Sequence, residues 1–139
     1  MKLSKTKQAM FLNDFNIVED LVREFKIGGF DNWYNEVQED QNKKAVAAFN
    51  KRYIILFADY THEDYSGDAY VLGFDKEEGK WFEVHGGHCS CYGLEGQWEP
   101  EYYEKLADLK AVLSRRDFTP SEWRRNAMSS KEFKEWLEQ

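Results

Sequence analysis

The sequence predicts an α+β fold, in which one antiparallel sheet of about three strands is flanked by helices at both ends of the chain. Apolar residues recur with helical spacing near both termini, whereas in the middle of the chain they alternate with polar residues as they do in strands. The 139 residues suit a single domain. We divide it into a mainly helical part (1–52), an antiparallel sheet (53–86), a loop rich in Cys, His and Gly (87–99) and a second helical part (100–139).

The first helical part contains two predicted helices. Asn16 is a favourable N-cap residue. The apolar positions that follow it repeat with helical spacing: Ile17, Val18, Leu21, Val22 and Phe25. A second helix is expected after Asp31. Its predicted inner face consists of Trp33, Tyr34 and Val37. Ahead of both helices, Gln8–Phe15 fits either a short helix or an ordered arm.

Three segments predict the strands of the sheet. Tyr53–Ala58 is a compact run of β-branched and aromatic residues, which is typical of a buried strand. In Asp68–Asp75 the large residues Tyr70, Leu72 and Phe74 share one face. In Lys80–His85, Phe82 and Val84 share a face, opposite Trp81 and Glu83. The short connection Lys76–Gly79 ends in a glycine, so these last two strands form a predicted β-hairpin.

Helical spacing returns after the hairpin. Pro100 suits the first turn of a helix. The apolar positions expected to face inward are Tyr102, Leu106, Leu109 and Leu113. Thr119–Glu122 has the pattern of a capping box ahead of a short helix, and Ser129–Glu132 repeats this pattern before a final helix. The final helix has three apolar residues: Phe133, Trp136 and Leu137.

The net charge of −7 is unevenly distributed. Residues 59–104 hold 12 acidic and 2 basic residues, while the segments on either side are close to neutral. A surface of this sign repels nucleic acid and attracts a basic protein surface, so we expect no direct nucleic-acid binding. Carboxylates that merely solvate loops and sheet faces would give the same composition, and the sequence leaves both explanations open.

The sequence favours a cytoplasmic protein that has no membrane partner. The basic start Met1–Lys7 is not followed by an apolar region of the kind found in signal peptides, and no apolar run is long enough to span a bilayer. Two cysteines separated by one residue also do not suggest the disulfide framework of a secreted protein.

Four residues near the end of the hairpin are candidate metal ligands: His85, His88, Cys89 and Cys91. Zinc accepts such a mixture of ligands. In an extended segment, however, the two cysteines would lie about 6–7 Å apart, too far for one ion unless the backbone turns. We therefore favour no metal and no cofactor, and keep these four residues as the candidates if a metal is bound.

Thiol chemistry is a second use for the same segment. A cysteine nucleophile needs a lowered pKa and a neighbouring base. His88 adjoins Cys89, but adjacent residues of a strand point to opposite faces, so we predict no catalytic residue and no enzyme. The Cys-x-Cys pair can also form a strained, reducible disulfide, or simply be buried under the loop as small hydrophobic residues.

Tyrosine and tryptophan side chains are interleaved with the acidic residues of the middle segment. Aromatic residues among charged ones are typical of a protein–protein interface. The candidate partner-binding residues are Glu63, Asp64, Tyr65, Asp68, Tyr92, Glu95 and Trp98. The partner we expect is a host protein or protein complex with a basic surface.

Two segments of this region, Tyr65–Asp75 and the more distinctive His88–Glu101 (HCSCYGLEGQWEPE), resemble a part of small hypothetical proteins of tailed bacteriophages. The resemblance covers residues 53–113 and carries no established activity. It implies a small protein made in the host cytoplasm during infection. The hypothesis that follows is an acidic, non-enzymatic protein that binds and inhibits a host complex, such as a CRISPR–Cas defence system. The alternative is a metal- or thiol-dependent protein that uses His85, His88, Cys89 and Cys91.

Overall fold

The computed structural model describes residues 1–33, 35–62, 65–115 and 130–139. Together these residues form a single α+β domain with a mixed sheet. The strands are β1 (Met10–Asn13), β2 (Tyr53–Tyr60), β3 (Gly67–Asp75), β4 (Lys80–His88) and β5 (Glu101–Tyr103). The helices are α1 (Val18–Phe25), a 3-10 turn (Ile27–Gly29), α2 (Glu36–Arg52), α3 (Leu106–Arg115) and α4 (Ser130–Glu138).

The five strands lie in the order β1-β2-β3-β4-β5. β1 runs parallel to β2, and the remaining neighbours are antiparallel. The predicted hairpin is confirmed, because Asp75 pairs with Lys80 across the connection. The prediction of about three strands is too low by two. Both missed strands are edge strands of only four and three residues, too short to show a period-two pattern.

Helices cover both faces of the sheet, and two hydrophobic clusters fill the space between the layers. One cluster joins α1 and α2 to the first face; its central residues include Phe25, Phe49, Val71 and Phe82. The other joins α3 and α4 to the second face; its central residues include Phe57, Leu72, Leu109 and Phe133. Since both faces of β2 are buried, this strand is apolar along most of its length rather than alternating.

The N-terminal helices form, with different boundaries from those predicted. α1 begins at Val18 with Ile17 as its N-cap, one residue after the predicted N-cap Asn16, and the Asp20 carboxylate accepts hydrogen bonds from the backbone N–H groups of Asn16 and Ile17 at 2.8 and 3.1 Å. Gln8–Phe15 contains strand β1 rather than a helix.

The predicted inner face of the second helix is wrong. Trp33 precedes α2 and is 73% exposed, and Val37 in its first turn is 81% exposed. α2 instead begins after the N-cap Asn35 and buries Ala45 and Phe49 further along. These two residues belong to the first hydrophobic cluster, and the half-buried Val46 packs against it. Tyr34 lies outside the described residues.

The third helix begins six residues later than predicted, since Glu101–Tyr103 pairs with β4 as strand β5. The side chains of Leu109 and Leu113 in α3 are buried as expected. So are the three apolar residues of α4: Phe133, Trp136 and Leu137. The capping box Thr119–Glu122 lies outside the described residues. Among the helices described, none combines the length and the apolar character needed to cross a membrane.

Candidate functional site

The Cys-containing loop follows directly from the end of β4. After His88 the chain turns back on itself, and the Cys89 N–H donates to the Tyr92 carbonyl at 3.1 Å. The Cys91 N–H then donates to the Cys89 Sγ at 3.3 Å. Both cysteines are free thiols. The segment is thus a closed turn rather than an extended strand.

The remainder of this loop is fixed to the body of the protein by two side chains. Leu94 is 1% exposed and packs into the first hydrophobic cluster. The Gln97 side chain accepts a hydrogen bond from the Gly87 N–H at 2.8 Å and donates to the Gly87 and Gly93 carbonyls at 2.7 Å each. The loop is therefore held against β4 at both its middle and its end.

Three of the predicted partner-binding residues are exposed near one end of the sheet. Tyr65 is 76% and Tyr92 is 62% exposed, and Glu95 is also exposed. Asp68 is half-buried nearby on β3. The β3–β4 pairing ends with Gly67 opposite His88, so the residues just before Gly67 and just after His88 leave the sheet at the same end. We call Tyr65, Tyr92 and Glu95 the tyrosine–carboxylate surface, while the side chain of Asp68 lies on the second face of the sheet with that of Tyr70. Glu63 and Asp64 lie outside the described residues.

Trp98 does not belong to this surface. Its indole ring contacts the rings of Phe25, Phe49, Tyr53 and Phe82 at centroid distances of 5.2–5.7 Å. The indole N–H points to the Tyr53 hydroxyl at 3.4 Å. Trp98 therefore closes one side of the first hydrophobic cluster, where it is half-buried.

The acidic segment 59–104 is less exposed than its composition suggests, because three of its carboxylates are buried. The Asp75 side chain has no exposed area, and its carboxylate binds the Arg52 guanidinium at 3.0 Å. Burial alone would raise the pKa of this carboxyl, but the hydrogen bond from Arg52 holds it below its usual range. Glu83 is 0% exposed and accepts hydrogen bonds from the hydroxyls of Tyr70 and Tyr103. Asp59 is 1% exposed.

The structure separates the two histidines among the four candidate metal ligands. His85 and His88 are three residues apart on β4 and therefore face opposite sides of the sheet. His85 is exposed and packs against Tyr70 on the second face. His88 is buried on the first face, where its Nδ1 lies 2.9 Å from the Tyr60 hydroxyl. No group of three or more potential metal ligands comes together among the residues that the structure describes.

The neighbour of His88 is instead His62, which the sequence did not point to. The two imidazole rings lie 4.3 Å apart, and His62 Nδ1 is 3.7 Å from the Asp14 carboxylate. His88 Nε2 is buried and has no hydrogen-bond partner in the described parts of the chain. Burial, assisted by His62, lowers the pKa of His88 although the nearby carboxylates of Asp14 and Asp68 act in the opposite direction, so this imidazole is neutral at pH 7.

Cys89 and His88 are held by different partners. A nucleophile needs a base within hydrogen-bond reach, but the contacts that hold the Cys89 thiol come from backbone N–H groups and from neighbouring loop residues. His88 is engaged with Tyr60 on the face of the sheet where the core lies. The exposed aromatic side chains in the described parts of the chain include those of the tyrosine–carboxylate surface and, elsewhere, Trp33.

Searches of protein-family models, of curated proteins and of solved structures found no match to this chain.

Proposed function

We propose that this chain is a small acidic interaction protein of phage type that binds a basic surface on a host protein complex and inhibits it. A nucleic-acid-handling defence complex, such as CRISPR–Cas, is the class of target that fits, because such complexes present basic protein surfaces. The observation that carries the proposal is the position of Tyr92 and Glu95, exposed on a loop whose backbone is fixed by buried and hydrogen-bonded neighbours.

A fixed loop favours binding for an entropic reason. Ordering a mobile loop at an interface costs free energy, and that cost is smaller when the free protein already holds the bound conformation. Leu94 and Gln97 supply this restraint within a few residues of Tyr92. Tyrosine is also among the residues that most often dominate binding energies, since its ring buries a large area and its hydroxyl keeps a hydrogen bond.

Charge supports a basic partner. Glu95 belongs to this surface, and Asp68 and Asp14 lie close enough to His88, at the same end of the sheet, to influence its pKa. Clusters of carboxylates steer the encounter with a basic surface and disfavour neutral or acidic ones. The same charges repel phosphate groups, which argues against nucleic acid as the direct ligand.

Affinity capture from bacterial lysate, followed by mass spectrometry, tests the proposal. The site variant is Tyr92→Ala/Glu95→Lys. Its matched control, Trp33→Ala/Glu78→Lys, removes one exposed aromatic ring and reverses one exposed carboxylate elsewhere. We expect a host complex captured by the wild type and by the control to be lost in the site variant. Capture that survives in the site variant but fails in the control would place the interface elsewhere and refute the proposal.

The salt dependence of binding tests whether the exposed carboxylates attract the partner. The affinity for the captured complex should fall steadily as NaCl rises from about 0.05 to about 0.5 M, because salt screens exposed charges beyond a Debye length. The slope should be shallower for Glu95→Lys than for Glu78→Lys. An affinity that does not change over this range would show that binding is apolar, and that the acidic character of the chain has another cause.

The alternative function, through the Cys/His segment, predicts a different result. If metal or thiol chemistry were required, Cys89→Ser/Cys91→Ser would abolish binding and the purified protein would contain stoichiometric metal. We expect the double variant to capture the same complex as the wild type, since the turn is closed by backbone hydrogen bonds that serine retains.

A further inference from the structure

The turn Cys89–Tyr92 brings two free thiols together at the surface. Cys91 is exposed and Cys89 is half-buried. In an extended strand these side chains would be about 6–7 Å apart. The backbone turns here, since the Cys89 N–H reaches the Tyr92 carbonyl, and the Cys91 N–H lies 3.3 Å from the Cys89 sulfur. The separation expected for an extended chain therefore does not apply.

The two thiols are not equivalent. The Cys89 sulfur accepts a hydrogen bond from the Cys91 backbone N–H, and contacts with Tyr92 and with the Cys91 side chain add to it. Donors directed at a sulfur stabilise the thiolate, and these lower the pKa of Cys89. The Cys91 thiol lies beside the Ser90 hydroxyl at 4.0 Å. Cys89 therefore has the character of an attacking thiol, and Cys91 that of a second thiol within reach.

We propose that Cys89 and Cys91 form a reactive dithiol that closes to a disulfide within the loop by exchange with a small-molecule disulfide such as oxidised glutathione. The Cys89 thiolate attacks one sulfur of that disulfide, forms a mixed disulfide and releases one thiolate. Cys91 then gives its proton to water, attacks the Cys89 sulfur and releases the second thiolate. Two protein thiols are oxidised, and one disulfide is reduced to two thiols.

The fixed loop makes the closed form easy to reverse. A disulfide between residues two apart must be accommodated within one turn, and the anchors Leu94 and Gln97 limit how far the backbone can relax. Strained and exposed disulfides are the more readily reduced ones. The pair therefore fits a reversible modification rather than a structural cross-link. This chemistry is independent of the partner proposed above.

Incubation of the reduced protein with oxidised glutathione, followed over time by intact-mass spectrometry, tests the proposal. The wild type should lose two hydrogens with little glutathione adduct, and dithiothreitol should restore the reduced mass. Cys91→Ser should accumulate one glutathione adduct, because the second thiol is absent. Cys89→Ser should form its adduct at least about tenfold more slowly. In concentrated urea, where the turn is lost, the two single variants should react at equal rates.

Three results would overturn the proposal. The first is equal rates for the two single variants in the folded protein. The second is a wild type that accumulates glutathione on both cysteines. The third is a disulfide that links two chains instead of closing within one.

Discussion

Asp59 is the buried carboxylate that the fold compensates least, and its replacement by asparagine should change how stability depends on pH. The side chain is 1% exposed. Oδ1 accepts a hydrogen bond from Asn13 at 2.6 Å, but Oδ2 has no hydrogen-bond partner among the residues described. Burial raises the pKa of Asp59 from 3.8 to about 6, with smaller contributions from Glu132 and Asp14, although the bond from Asn13 acts in the opposite direction.

The sign and size of the effect follow from linkage. Between pH 3.8 and 6 the folded protein holds the Asp59 proton more tightly than the unfolded chain does, so acidification through this range favours folding. At pH 8 the carboxylate is ionised in both states. At pH 5, one unit below the folded pKa, the proton contributes about 1.4 kcal/mol to the free energy of unfolding. Asparagine does not titrate, so Asp59→Asn lacks this contribution.

Urea denaturation followed by tryptophan fluorescence gives the required free energies at about pH 8 and about pH 5. We expect the unfolding free energy of the wild type, relative to that of Asp59→Asn, to be about 1.4 kcal/mol higher at pH 5 than at pH 8. Contributions from other groups cancel because both proteins share them. Asp108→Asn, on the exposed face of α3, controls for the loss of one charge. A difference that is the same at both pH values, or that moves in the opposite direction, would refute the argument.

Two further predictions concern the sheet. Asp75→Asn should destabilise the protein at neutral pH by about 3 kcal/mol, because Arg52 loses its buried partner. The pKa of Asp75 is lowered in the folded protein, so the wild-type advantage, measured by urea denaturation, should disappear as pH falls below 3.8. Gly67→Ala should cost at least about 3 kcal/mol in the same assay, because a Cβ there would overlap the Thr61 carbonyl. Gly87→Ala, whose Cβ would lie 3.7 Å from its nearest neighbour, should cost far less, and equal losses would contradict the steric argument.

The sequence alone determined the main elements of the fold, because their patterns are local. The run Tyr53–Ala58 and the hairpin that follows have the composition and alternation of strands, and both form. The leucine spacing also predicted that Leu109 and Leu113 are buried. Leu106 is only half-buried, and Tyr102, expected on the same helix face, lies in β5 and is 38% exposed. Each of these inferences depends on residues close together in the chain.

The tertiary structure decided the edges of the sheet and the composition of the site. β1 and β5 exist because a longer neighbouring strand offers them backbone hydrogen bonds, which no pattern of three or four residues can reveal. His88 contacts His62 rather than His85. The pleat of β4 places His85 on the second face of the sheet, whereas His62, just after β2, lies beside His88 on the first face. Trp98 is half-buried against the first hydrophobic cluster for the same reason: side chains distant in sequence fill one space, and only their packing determines which aromatic rings remain at the surface.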